Sequence, residues 1–147
     1  MTASQSTVVS MRLPVESGKR LKRLARRHGW TASDASARLV EEGLRRSEFA
    51  FIDFRDSAAG RQACIQGSTL AVWEVVLLVQ SYAGDAKATA RHLSWPPMRV
   101  QAAIHYAEAF VDEIGQEIAD NEAVGFPALK RMLPQASEFI VGKAIRR

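Results

Sequence analysis

A single cysteine, Cys64, stands in 147 residues, so the chain can build no internal disulfide framework and no zinc site from cysteine alone. That usage fits a reducing compartment, and the expected location is the cytoplasm. No apolar run is long enough to cross a bilayer. The opening residues, Met1-Thr2-Ala3-Ser4-Gln5-Ser6, are polar and lack the apolar core of a secretory signal. Catalytic patterns are missing too: there is no phosphate-binding glycine loop, no HExxH and no GxSxG. His28, His92 and His105 lie in separate segments without metal-ligand spacing. Asp53 and Asp56 have no third acid nearby, which reads as turn chemistry. The expectation is a protein that is not an enzyme and that holds neither cofactor nor metal.

What is present is ample for folding. Apolar residues make up 47% and charged residues 24%, the balance of a globular protein, and the length allows one domain or two small ones. The net charge of +4 is unevenly spread. Residues 1–48 carry ten Lys/Arg against five Asp/Glu; residues 49–122 carry five against ten; residues 123–147 carry five against one. A basic head suits a polyanion such as DNA. The acidic middle reads as solvated faces.

The head is organised around Thr7-Val8-Val9-Ser10-Met11-Arg12-Leu13-Pro14. Val9, Met11 and Leu13 alternate with Val8, Ser10 and Arg12, the period of a half-buried strand, and Pro14 ends it. Only helical patterns follow within reach, and buried backbone groups need partners. The strand is therefore expected to pair with itself in a second copy, as a two-stranded intermolecular ribbon in a homodimer. Residues 16–28 repeat Leu21, Leu24 and Ala25 at helical spacing until Gly29 stops them. Thr31 is an N-cap with Asp34 as the reciprocal acid. The helix it opens runs to about Arg46, with Ala35, Leu39, Val40 and Leu44 towards one side. His28 reads as a partner of the first helix's C-terminal dipole.

Strand, helix, glycine turn and capped helix, carried by Ser10-Met11-Arg12-Leu13-Pro14, Gly29-Trp30-Thr31, Ser33-Asp34-Ala35 and Val40-Glu41-Glu42-Gly43-Leu44, resemble the ribbon-helix-helix family, the MetJ, Arc and CopG type of DNA-binding protein. The resemblance covers about the first third of the chain. It implies that the outward ribbon residues Val8, Ser10 and Arg12 enter the major groove. Arg12 could fork onto guanine, Ser10 donate or accept, and Val8 touch a thymine methyl. Val8 stands where that family has a polar residue. The resemblance also implies that a phosphate sits on the free amides of Ala32 and Ser33 at the second helix's start. Thr31 serves as cap, phosphate contact or both, and Lys19 adds charge beside it. Lys22, Arg23, Arg26 and Arg27 read individually as a solvated face.

In residues 49–122 a strand-like run, Phe49-Ala50-Phe51-Ile52-Asp53-Phe54, turns at Ser57-Ala58-Ala59-Gly60 and returns through Arg61-Gln62-Ala63-Cys64-Ile65. Cys64 there is a small buried hydrophobe. A helix over residues 70–82 is apolar almost all round and so belongs to a core. Gly84 stops it, Asp85 caps a short helix to Leu93, and Ser94-Trp95-Pro96-Pro97 breaks the chain. From about Met98 one long helix carries Val100, Ala103, Ile104, Ala107, Phe110, Val111, Ile114 and Ile118. The whole chain is thus expected to be mainly α: a ribbon-helix-helix head, then a hairpin with a three-helix, helix-turn-helix-like domain. Phe54-Arg55-Asp56, Ala59-Gly60-Arg61-Gln62-Ala63, Gly67-Ser68, Ala71-Val72-Trp73-Glu74-Val75-Val76, Gly84-Asp85 and Val100-Gln101-Ala102-Ala103-Ile104-His105-Tyr106 resemble the family known as domain of unknown function 433, found in antitoxins of bacterial toxin–antitoxin pairs. This second resemblance implies an antitoxin of the VapB kind whose partner is a PIN-like ribonuclease toxin. Arg91, Arg99 and Gln101 would be groove readers, but the acidic balance favours a dimerisation or toxin-contact role. Trp73 reads as core, Trp95 as partly exposed.

Residues 123–147 form a basic tail. Phe126, Leu129, Met132, Phe139 and Ile140 are either packed on the body or part of a partner-binding segment, and are expected to touch the toxin. Arg146 or Arg147 could place a guanidinium among a nuclease's acids. The expected function is an antitoxin that represses its own operon by binding operator DNA as a dimer. A stand-alone regulator without a toxin is the alternative, and a basic interaction protein that contacts RNA or acidic protein is the third.

Overall fold

The computed structural model describes residues 5–123. Over that range the protein is mainly helical with one small antiparallel sheet of two strands. The chain divides into two compact units, Met1–Ser47 and Glu48–Arg147. No helix among the described residues is long and apolar enough to cross a membrane.

The first unit holds α1 (Val15–His28) and α2 (Ala32–Glu48). Pro14 precedes α1, where its missing N–H costs nothing, and Gly29 closes it at φ 69° with its N–H bonded to Arg26 O at 3.3 Å. His28 Nδ1 donates to Leu24 O at 3.0 Å, tying the imidazole to the last turn. Thr31 caps α2 as expected: its hydroxyl accepts from Asp34 N at 3.0 Å. Residues 7–14 belong to no ladder of their own chain. Their apolar side chains stay outside, with Val9 76% and Met11 53% exposed.

The second unit begins with β1 (Ile52–Ser57) and β2 (Gly60–Ile65), paired antiparallel from Ile52↔Ile65 to Ser57↔Gly60. The strand starts three residues later than its composition suggests. Phe51 takes a left-handed backbone, φ 60°, and its carbonyl accepts from Gln66 N at 2.7 Å, so residues 49–51 form a turn rather than a ladder. The helices are α3 (Val72–Ser81), α4 (Ala86–Leu93), α5 (Pro97–Ala109) and α6 (Val111–Ala123). Ala71 precedes α3; its N–H donates to Glu74 Oε2 at 2.8 Å while Glu74 N donates back to Ala71 O. Asp85 caps α4 by accepting from Ala88 N at 3.0 Å. Pro97 occupies the first turn of α5, where its fixed φ suits a helix start.

The expected single helix from Met98 is two. Phe110 interrupts it at φ −124° and ψ 53°, with its ring 4.7 Å from Tyr106 and 5.6 Å from Phe49. The apolar stripe runs unbroken across this joint, so periodicity alone hides it. α3 packs on α4, α5, α6 and β2, which puts it at the centre. Val72 and Val75 on α3, Val100 and Tyr106 on α5 and Ile65 on β2 are fully buried. Each such valine stabilises the unit by roughly 1.5–3 kcal/mol.

Candidate nucleic-acid interface

The residues expected to meet DNA all lie in the first unit. Val8 is 90% exposed, and Ser10 and Arg12 are exposed beside it. No ion pair holds the Arg12 guanidinium among the described residues. Val9, Met11 and Leu13, which the alternation assigns to the other side of a strand, are exposed as well, and no strand is formed over residues 7–14. Val8, Val9 and Met11 together border one groove of about 470 Å³, whose α2 wall runs through Ser33, Ser36 and Val40. A second groove, about 540 Å³, lies between Leu13, α1 and Leu39 and is rimmed by Arg20, Arg23 and Arg27.

At the start of α2, Ala32 and Ser33 are exposed in the first turn, behind the Thr31 cap. Their amide groups have no carbonyl of the same helix to bond, and the aligned peptide dipoles make that end positive. Lys19 is engaged with Glu16 Oε1 at 3.0 Å, an exposed pair worth little. Lys22, Arg23, Arg26 and Arg27 are exposed along α1.

The contacts of Trp30 and the burial of Glu42 are further features of this unit. Trp30 has two such contacts: the His28 ring stacks on it with centroids 4.3 Å apart, and the Arg38 guanidinium lies 4.6 Å from its centroid. The stack pins the turn between the two helices, so it fixes where the α2 N-terminus points. Glu42 is buried, with its carboxylate 3.9 Å from Arg46.

Two arginines of the second unit, Arg55 and Arg99, are engaged within it. Arg99 Nη2 donates to Gln66 O at 2.6 Å, and its guanidinium covers Trp95 at 4.4 Å. Arg55 donates to Ser68 O and, through Nε, to Cys64 Sγ at 3.2 Å. The turn at residues 66–68 is thereby held by two arginines. Gln101 is bonded to His105. Of the three possible groove readers here, only Arg91 stands without such a contact among the described residues. Cys64 is buried, as a small hydrophobe should be. Trp73 packs against the core but is half-buried rather than enclosed, and its indole N–H donates to Gln62 Oε1 at 3.2 Å.

Several acids of the middle region have structural jobs. Asp85 and Glu74 cap helices, Asp56 pairs with Arg61 at 3.2 Å, and Glu113 Oε2 accepts from the Tyr106 hydroxyl at 2.7 Å. Glu117 differs. Burial, and then the neighbouring charges of Glu113 and Asp120, push its carboxyl up to about 7, and its Oε2 has no hydrogen-bond partner. No group of three or more His, Cys, Asp or Glu side chains among the described residues could hold a metal ion. The expected toxin contacts Phe126, Leu129, Met132, Phe139, Ile140, Arg146 and Arg147 lie outside the described residues.

No protein-family model, no curated protein and no solved structure matches this chain.

Proposed function

We propose that the protein is a dimeric repressor and antitoxin. Two copies pair residues 7–13 into a ribbon whose outer side chains, Val8, Ser10 and Arg12, read operator DNA. The α2 N-termini, with Thr31, Ala32, Ser33 and Lys19, clamp the flanking phosphates. The C-terminal part neutralises a PIN-like ribonuclease toxin encoded alongside.

One observation carries the DNA-binding half. The first unit keeps Val9, Met11, Leu13, Val40 and Leu44 exposed, on a scaffold of fewer than fifty residues that buries little beyond two alanines. A unit that small needs a partner to complete a core. A second copy would cover the apolar side of residues 9–13 and leave Arg12 facing outward among the cations of α1. The antitoxin half is supported by the order hairpin, helix, glycine turn, helix, proline turn, helix, which follows the resemblance noted in residues 54–106.

The test is a band-shift on DNA from upstream of the reading frame. Arg12→Ala should weaken specific binding by about 5- to 150-fold, the equivalent of roughly 1–3 kcal/mol, with the dimer intact by sedimentation. An unchanged shift removes the ribbon assignment. Co-expression with the neighbouring reading frame, followed by pull-down, tests the toxin. DNA binding without a captured nuclease leaves the stand-alone regulator.

A further inference from the structure

We infer that residues 124–147 dock on the chain's own second unit, in the apolar groove between α3, α5 and the first turn of α6. The groove has a volume of about 360 Å³ and is walled by Val76, Val79, Ile104, Ala107 and Val111, with Glu108 at its edge. Val111 is 64% exposed there. Glu108 is the charged residue of its lining, and α6, which starts at the groove with Val111, carries Asp112, Glu113, Glu117, Asp120 and Glu122 and no Lys or Arg. An occupant must therefore be apolar on one side and basic on the other.

The chain supplies such an occupant. Residues 124–147 hold five Lys/Arg against one acid. Phe126, Leu129, Met132 and Leu133 recur at helical steps, with Lys130 and Arg131 between them. The segment begins where α6 ends, at Ala123. A helix of 13 residues is about 20 Å long. About six extended residues bring the chain back to the Val111 end. About eighteen residues then remain, more than enough to lay a few apolar side chains in a groove of this volume. A separate protein or a second copy would have to bring equivalent chemistry from solution, whereas a tethered segment acts at an effective concentration in the millimolar range. The inference does not depend on the repressor reading; a toxin that takes this segment takes it from the groove.

Trypsin reads the docking directly, because Lys130 and Arg131 are its targets. In the purified full-length protein, cleavage at those bonds, followed by mass spectrometry, should be at least about tenfold slower than in a synthetic peptide of residues 124–147. Val111→Asp places a charge in the groove at a helix position that tolerates it. It should bring the rate close to that of the peptide with the far-UV circular dichroism unchanged. If that variant alters the dichroism, Val111→Ser at unchanged dichroism gives the same reading with a smaller acceleration. Salt at about 0.5 M should also speed cleavage, since screening weakens the charge match. Cleavage of the unaltered protein at the peptide's rate overturns the proposal, and so does protection that a folded Val111 variant leaves intact. Protection that fades on dilution from about 100 to about 1 µM assigns the groove to another copy's segment and overturns it as well.

Discussion

The first unit buries Ala25 and Ala35 among its apolar residues, whereas the second buries Tyr106, Ile65, Val72, Val75 and Val100 completely. Apolar content does not explain the contrast. Residues 9–44 offer Val9, Met11, Leu13, Leu21, Leu24, Leu39, Val40 and Leu44, but on two helices and one unpaired segment that cannot surround them. Among the described residues the second unit has a hairpin and four helices, and α3 is covered from several directions. Closure depends on the number of elements that converge, because a helix or strand face is buried only by another face. Exposure in the first unit is thus a geometric deficit that a second chain can supply.

The largest effect is expected where closure is complete. Tyr106→Ala removes a ring that meets Phe49, Phe54 and Phe110, together with the hydroxyl bonded to Glu113. It should cost the second unit about 3–5 kcal/mol, read from urea unfolding followed by Trp73 and Trp95 fluorescence in a Trp30→Phe background. A loss below about 1 kcal/mol would mean that this core is loosely packed. Next comes Val40→Glu in the first unit. Val40 is 47% exposed, so an isolated chain should barely notice the change. A dimer that covers it should weaken by roughly 3 kcal/mol, about 150-fold in dissociation constant by sedimentation equilibrium. An unaltered constant would leave the first unit's deficit filled by something other than this face.

The smallest effect concerns pH and the second unit. Glu117 titrates at about 7 when folded against an ordinary value of 4.5, through burial first and then Glu113 and Asp120. The folded chain keeps a proton that the unfolded chain releases between those values. The group's contribution to stability is therefore full below pH 4.5 and is lost as pH rises through about 7. Solvent screening at this half-buried site reduces the size. Glu117→Gln should raise stability near pH 8 by about 1 kcal/mol and hardly change it near pH 4.5, by urea unfolding at both values. Equal effects at the two pH values would show that the local charges do not act on Glu117 as described.

Local signals made much of this fold legible. Gly29 stops α1, Thr31 and Asp85 cap the helices that follow them, and Pro97 opens α5; each acts within three or four residues of itself. Features that depend on distant partners were not legible. The joint at Phe110 is set by rings sixty-one and four residues away. Arg99 reaches back 33 residues to Gln66, which withdraws a side chain that its position offered as a groove reader. In the candidate interface, alternation offers a side of residues 7–13 for Arg12, but no ladder forms there in the chain itself and that reading stays a proposal. The stack of Arg38 on Trp30, which orients the helix it flanks, has no such pattern.

The hairpin tip has a practical consequence. Ala58 and Ala59 are exposed, and the turn is closed by Ser57, whose hydroxyl donates to Gly60 O at 2.8 Å. Nothing of the aliphatic interior reaches that point, so extra residues grafted between the two alanines need not disturb it. A fluorophore-binding tag or an affinity handle could be installed there, leaving both chain termini unmodified in any capture or imaging experiment.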